Sequence, residues 1–116
     1  MPHIHLEVTT DLLQEADVPR VLEDLVSRLE SYETIAAPSV KAYFTQRDVW
    51  SMGTGAAAGF IHCTVSILKG RSLDLRRHIS SGMSDTLRDF YRNALDEGRA
   101  GLTLELREMD VETYVK

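Results

Sequence analysis

Cysteine is almost absent from the chain: among 116 residues only Cys63 occurs, so no internal disulfide can form. A single cysteine is typical of proteins kept in a reducing compartment, and we expect a cytoplasmic location. Long hydrophobic runs are absent too. No segment approaches the roughly 20 apolar residues that cross a bilayer, and residues 1–7 lack the basic start and apolar stretch of a secretory signal. The sequence therefore predicts no membrane partner.

The sequence is also poor in positive charge. It has 13 lysines and arginines against 18 aspartates and glutamates, which gives a net charge of −5 at pH 7. A nucleic-acid-binding surface would show a basic excess or a basic stripe, and here the arginines between residues 71 and 92 are interspersed with acidic residues. We therefore expect no nucleic-acid partner. A small anionic ligand stays compatible with this charge, because its site needs only a few local cations.

What the sequence does have is regular alternation of apolar and polar residues. Alternation with a period of two predicts strands near residues 3–8, 40–45, 60–68 and 102–107. Apolar residues at helical spacing predict one helix over about 17–32, with Asp17 as its N-cap. They predict a longer helix from a Ser72 cap to about residue 97, ending at Gly98 or Gly101. The glycine- and alanine-rich segment 51–59 is predicted to be a loop.

The order of these elements predicts an α+β fold in a single domain over residues 1–116. Strand, helix and strand follow one another twice, so we expect two βαβ units that form a four-stranded sheet with two helices on one face. Such a sheet leaves its other face and its edges uncovered. We therefore expect an oligomer, in which the apolar tail 109–116 could extend a partner's sheet.

Pro2 is the first candidate for chemistry. A small penultimate residue favours removal of Met1, which would leave a secondary amine at the chain's start. An α-amino group has a pKa near 8, and an apolar pocket or nearby cations would lower it toward the value that suits a general base. By position alone, however, Met-Pro is also an ordinary beginning for a protein.

Several short motifs accompany Pro2 in a definite order. They are Pro2-His3 followed by Glu7, then Val40-Lys41, Asp48-Val49-Trp50-Ser51-Met52, Phe60-Ile61-His62-Cys63-Thr64, and finally Gly70-Arg71-Ser72-Leu73. Each motif is short, so the ordered set carries the specificity. In this order and at nearly these spacings the set resembles the 5-carboxymethyl-2-hydroxymuconate isomerase family of the tautomerase superfamily, almost from end to end.

The resemblance implies a tautomerase-like fold that assembles as a homotrimer. It also implies an isomerase that moves a proton along an enol or dienol acid during aromatic compound catabolism, without a metal or cofactor. Pro2 would be the catalytic base. Arg71 matches an arginine that binds a carboxylate of the substrate, a task that suits the planar guanidinium. Lys41 would be the second substrate-binding residue, and His3, Tyr43 and Trp50 are candidates for the pocket wall.

The sequence departs from the family pattern on the second strand. Lys41 stands where the family has an active-site arginine, and Tyr43 stands where a second arginine would be. Lysine keeps the positive charge but loses the bidentate fork of arginine. These changes leave other functions open beside the isomerase: a tautomerase that acts on a different enol acid, or a non-catalytic trimeric binding domain of the same fold.

Other candidate sites are weaker. His3, His5 and Glu7 share a strand face, and His-x-His can chelate a metal, but no fourth ligand has a convincing spacing, so we expect no metal site. Cys63 alternates with apolar residues and is predicted to be a buried small hydrophobe. The glycines of segment 51–59 lack the Gly-Lys-Ser/Thr ending and the following helix of a phosphate-binding loop.

Overall fold

A computed structural model describes all 116 residues. In chain order the elements are β1 (His3–Thr9), α1 (Val18–Glu30), β2 (Lys41–Arg47), β3 (Gly59–Leu68), α2 (Leu73–Phe90), α3 (Arg92–Asp96) and β4 (Ala100–Met109), with short 3-10 turns at Thr10–Leu12 and Ala37–Ser39. All four predicted strands and both predicted helices are present. The observed strands begin and end within two residues of the alternating pattern. β4 is longer by two residues at each end, because backbone pairing continues where side-chain alternation ends.

The four strands form one sheet in the order β2-β1-β3-β4. β1 pairs with β2 in parallel, β3 pairs with β4 in parallel, and the two central strands β1 and β3 run antiparallel. Each parallel pair is joined through a helix, which confirms the two predicted βαβ units. The antiparallel junction brings the beginning of β1 beside the end of β3, where His3 pairs with Ser66.

The core lies between one face of the sheet and the helices α1 and α2. Alternate residues of the central strands point into it, and the apolar stripes of both helices meet them, as the spacing predicts. Fully buried members include Ile4, Leu6, Val8, Leu25, Leu29, Ile61, Val65, Ile67, Ile79, Met83 and Leu87. Both helices therefore cover the same face, which confirms the predicted layering.

The opposite face of the sheet carries no helix and is polar. Lys41, His3, Ser66 and Arg107 form one row across all four strands, as the strand registers show. Further along the sheet, Arg47 of β2 donates hydrogen bonds to Glu7 of β1. A face lined by such groups satisfies the expected alternation, with apolar residues on one side of the sheet and polar residues on the other.

The helix ends confirm one predicted cap, show a second without its side-chain hydrogen bond, and correct the predicted length of the second helix. Ser72 caps α2 as predicted, since its hydroxyl accepts a 3.1 Å hydrogen bond from the Leu75 amide. Asp17 occupies the N-cap position of α1, but its side chain makes no capping hydrogen bond. The predicted long helix is two helices, since Tyr91 leaves helical geometry at φ −108° and ψ 19°. The apolar spacing continues across this bend, so periodicity alone could not reveal it.

Gly98 ends α3, as predicted, with φ +71°. The Gly98 amide bonds to the carbonyl of Leu95, and the Arg99 amide bonds to that of Ala94. This pair of bonds is the Schellman arrangement that satisfies the last helical carbonyls and favours glycine at the left-handed position.

The remaining segments are irregular. Residues 48–58 form the predicted loop, and the Trp50 indole donates a 2.9 Å hydrogen bond to the Ala58 carbonyl within it. After Met109 the chain makes a turn in place of a further strand, and Tyr114 returns to the beginning of β1. None of the helices has the length and apolar character that a membrane span requires.

Candidate active site

Pro2 is buried at the beginning of β1. Its carbonyl accepts a 3.0 Å hydrogen bond from the Lys41 amide, which fixes the start of β1 against β2. In the full chain Met1 precedes Pro2, so the Pro2 nitrogen belongs to a peptide bond and the free amine belongs to Met1. Removal of Met1 would turn this fixed, buried nitrogen into a secondary amine.

A cavity of about 220 Å³ opens at this point of the sheet. It is lined by Met1, Pro2, Thr34, Ala36, Ser39, Leu68, Arg71 and Lys116. Pro2 and Arg71 meet here because β1 begins where the antiparallel β3 ends, and Arg71 follows β3 by three residues. The structure therefore brings together two of the residues that the sequence singled out.

Arg71 is half-buried and held at three points. Its Nε donates to Thr34 Oγ1 at 2.8 Å, its Nη2 donates to the Thr34 carbonyl at 2.7 Å, and its Nη1 donates to the Leu68 carbonyl at 3.1 Å. No carboxylate is among these partners. The guanidinium charge is therefore not neutralised by an ion pair, and it remains available to an anion in the cavity.

The charged side chains that line the cavity are all basic. None of its lining side chains is acidic, whereas Arg71 and Lys116 are basic. Burial lowers the pKa of the Met1 amine, and the charges of Lys116, Lys41 and Arg71 lower it further. An amine at this end of the chain is thus biased toward its neutral, proton-accepting form.

The tail of the chain closes the site from one side. The Tyr114 hydroxyl donates to the Met1 carbonyl at 3.2 Å and lies 2.8 Å from Nε2 of His3. With the Tyr114 hydroxyl donating to Met1, the contact with His3 is completed by the tautomer that carries its proton on Nε2. Burial lowers the pKa of His3, with the charges of Lys41 and the amino terminus acting in the same direction.

The other sequence candidates lie outside this cavity. Lys41 is the register partner of His3, and its exposed side chain stands on the open face of the sheet. Tyr43 is 44% exposed on that face, where its ring lies 5.1 Å from the ring of His5. Trp50 belongs to the 48–58 loop. Within one chain, none of these three residues lines the cavity.

The thiol and the histidine pair that the sequence also offered are placed as follows. Burial raises the pKa of the Cys63 thiol to about 12, so the thiol stays protonated. His3, His5 and Glu7 share the open face, but no group of three or more histidine, cysteine or acidic side chains is placed to hold a metal ion. A larger groove of about 580 Å³ between α1 and α2 is lined by surface side chains of both charges, among them Arg20, Asp24 and Asp89.

Comparison with known proteins settles the family. The family model for 5-carboxymethyl-2-hydroxymuconate isomerase matches residues 2–116. The chain belongs to the 5-carboxymethyl-2-hydroxymuconate isomerase family. The resemblance seen in the motifs is therefore confirmed, and so is the expectation that the protein is an isomerase.

Individual relatives of this family agree with the match. The chain is 22% identical to the 5-carboxymethyl-2-hydroxymuconate Delta-isomerase of Escherichia coli over 110 residues, which cover 94% of this chain and 87% of the relative. A solved 5-carboxymethyl-2-hydroxymuconate isomerase from Deinococcus radiodurans R1 superposes with a TM-score of 0.91 at 19% identity, covering 99% of this chain and 87% of the other. A fused 4-OT, described as a wild-type symmetric trimer, superposes with a TM-score of 0.71 at 16% identity, covering 93% of this chain and 85% of the other. These superpositions confirm the tautomerase-like fold.

The sequence did not predict three residues at this isomerase's candidate site. Thr34 and Lys116 line the cavity, and Tyr114 bonds to Met1 beside it. Thr34 lies in an irregular connection that carries no motif. Tyr114 and Lys116 lie in the tail, whose apolar residues indicated packing without indicating where. The only sequence signal was indirect, since a lysine in an apolar tail is a candidate cation once the tail is known to reach the amino terminus.

Proposed function

We propose that the protein is a cofactor-independent isomerase that moves a proton along a 2-hydroxymuconate-type dienol acid, with the Pro2 amine as general base after removal of Met1. One observation carries this proposal: the buried Pro2 and the unneutralised Arg71 line the same cavity of about 220 Å³. A base beside a fixed cation is the arrangement that deprotonation of a carboxylate-bearing enol requires.

The proposed step begins with the neutral Pro2 nitrogen. It removes the proton of the enol hydroxyl, the electrons shift along the conjugated chain, and the prolinium ion returns the proton at a distant carbon. The product is an unsaturated ketone with the same atoms as the dienol. Arg71 binds a carboxylate, and the positive charges of Lys41 and Lys116 nearby stabilise the negative charge that develops. The step needs neither a metal nor a cofactor.

Removal of Met1 would also free a hydrogen-bond donor. The Tyr114 hydroxyl now donates to the Met1 carbonyl, which is bonded to the Pro2 nitrogen. Once that carbonyl is gone, the hydroxyl stands beside the new amine and continues to accept from His3. We propose that Tyr114 and His3 orient the amine in this way, which gives the candidate pocket residue His3 an indirect part in the site.

We propose that the working form is a homotrimer. The helix-free polar face and the sheet edges are open in one chain, and a fused 4-OT with the same fold is described as a symmetric trimer. Lys41, Tyr43 and Trp50, which do not line the cavity within one chain, would then border it or a neighbour's cavity across an interface. Covering of the cavity by a neighbour would exclude water and keep Pro2 neutral.

We also propose a cytoplasmic location, which the free, buried Cys63 supports.

The substrate test follows the ultraviolet absorbance of the dienol. We expect the protein that begins at Pro2 to consume 5-carboxymethyl-2-hydroxymuconate faster than phenylpyruvate enol or an unsaturated halogenated acid. Preference for one of the latter would move the protein to another tautomerase activity. Absence of turnover with all of them, in protein shown by intact mass to lack Met1, would favour the non-catalytic binding domain and reject the proposal.

The pH dependence offers a separate check on the cationic surroundings of the amine. We expect kcat/KM to rise with pH as the ammonium loses its proton, with a midpoint below the ordinary amine pKa of about 8. Lys116→Gln removes a positive charge that lowers the pKa of the Met1 amine in the unprocessed chain. We expect this charge to act in the same direction on the Pro2 amine, so the acid limb of the variant moves to higher pH. Lys69→Gln is the matched control, because exposed Lys69 is not among the charges that act on the amine. If the acid limb of kcat/KM lay at the same pH in both variants, the proposed effect of Lys116 on the amine would be wrong.

A further inference from the structure

Thr34 has a backbone conformation that its side chain disfavours. Its φ is +73°, and it is the only residue other than glycine with a positive φ. A β-branched residue is a rare occupant of this left-handed region, because Cβ crowds the neighbouring backbone. The residue is exposed, so burial of its side chain does not explain why threonine stands here.

In this backbone conformation Thr34 accepts two hydrogen bonds from Arg71. The hydroxyl and the carbonyl of Thr34 both face the guanidinium and accept from Nε and Nη2, at 2.8 and 2.7 Å. One residue thus holds a whole edge of the guanidinium plane. The Leu68 carbonyl takes a third proton, from Nη1 at 3.1 Å.

These contacts leave part of the guanidinium free. Arginine has five N–H groups, one on Nε and two on each terminal nitrogen. Three are used, so one remains on Nη1 and one on Nη2. Arg71 lines the cavity together with Pro2, so these two groups are the ones left to donate to a carboxylate there.

We propose that Thr34 is a positioning residue, which holds the Arg71 guanidinium in the orientation that receives the substrate's carboxylate. The inference rests on the proposed function of Arg71 as the carboxylate anchor. A long, flexible side chain that is already ordered loses less entropy when a ligand binds. The unfavourable backbone geometry of Thr34 is thus retained at the site where it serves binding, a pattern common at functional sites.

The test compares Thr34→Gly with Thr34→Ser. Glycine accepts φ +73° without strain but lacks the hydroxyl, whereas serine keeps the hydroxyl and removes only the methyl group. Binding of muconate, a dicarboxylate without the reacting hydroxyl, is measured by calorimetry. We expect Thr34→Gly to weaken binding about 10-fold, as loss of one hydrogen bond to a charged group would, and Thr34→Ser to bind within about 3-fold of the wild type.

Three further readouts separate positioning from a structural role. The melting temperature of Thr34→Gly should stay close to that of the wild type. Relief of the backbone strain offsets both the lost hydrogen bond to Arg71 and the greater freedom of the unfolded glycine chain. The Arg71 Nε–H resonance should be protected from solvent exchange in the wild type and Thr34→Ser, and should lose protection in Thr34→Gly. In turnover, the effect should fall on KM more than on kcat, since a carboxylate anchor acts on ground and transition states alike.

The variant Arg71→Ala separates the positioning role of Thr34 from the proposed role of Arg71 as the carboxylate anchor. Weaker muconate binding in Arg71→Ala with unchanged binding in Thr34→Gly would overturn the role of Thr34 and leave the anchor standing. Equal losses in Thr34→Gly and Thr34→Ser would also overturn that role, since the hydroxyl would then not matter. Unchanged binding in Arg71→Ala would overturn the carboxylate anchor, and the role of Thr34 with it.

Discussion

Protein that retains Met1 is expected to isomerise the dienol about 10²–10⁴-fold more slowly than protein that begins at Pro2, the range that a positioned general base contributes. The reason is that an amide nitrogen has no available electron pair to accept a proton, whereas the secondary amine does. The two forms differ only in the presence of Met1, and residues 2–116 are the same in both. The comparison can be made by expressing the same gene with and without inhibition of methionine aminopeptidase and verifying each form by intact mass.

Pro2→Ala refines this comparison. Alanine also permits removal of Met1, so the variant keeps an amine with a similar intrinsic pKa but loses the ring that fixes its direction at the start of β1. We expect its kcat to lie between those of the two wild-type forms, at least about 10-fold below the processed protein. Melting curves that coincide would show that the fold is intact. Full turnover in the variant would reject the role of the proline ring. Equal turnover with and without Met1 would reject the Pro2 amine as the base.

Leu6→Ala is expected to lower the free energy of unfolding by about 2–5 kcal/mol, the cost of emptying a leucine site in a packed core. Leu6 is fully buried on β1, one of the two central strands, with Phe44 and Cys63 as its register partners. Since domains of this size have a total stability of only about 5–15 kcal/mol, the variant should unfold at a clearly lower urea concentration.

Leu102→Ala provides the matched control for this stability measurement. Leu102 faces the same core but lies on the edge strand β4 and is only partly buried. Its removal exposes less new surface, and we expect a smaller loss. Both variants are to be measured at one protein concentration, because self-association would make the midpoint concentration-dependent. Equal losses at the two positions would contradict the burial assigned to β1 and β4.

The placement of the site at the amino terminus has a structural reason. β1 is paired on both sides, with β2 and with β3, so its first residues are held as firmly as its middle. Pro2 extends this strand by one residue, and its carbonyl is already bonded to the Lys41 amide. A chain terminus, which is usually mobile, is thereby made rigid enough to position a base.

The sequence by itself determined the elements and their layering. Alternation in β1 and β3 and the apolar stripes of α1 and α2 are local patterns, and each follows from which side chains must leave water. The repeated order of strand, helix and strand then left few arrangements for the sheet. Pro2 and Arg71 were singled out from the sequence through the family resemblance of the ordered motifs, to which the chemistry of an amine and a guanidinium added support.

Only the tertiary structure decided which of these residues share a cavity. Arg71 bonds Thr34 across 37 positions and His3 bonds Tyr114 across 111, and no local pattern records contacts between residues so far apart. The bend at Tyr91 and the left-handed turn at Thr34 were likewise invisible to periodicity, because each depends on what packs or bonds against it. The site arises where the antiparallel meeting of β1 and β3 brings the amino terminus, Arg71 and the tail together.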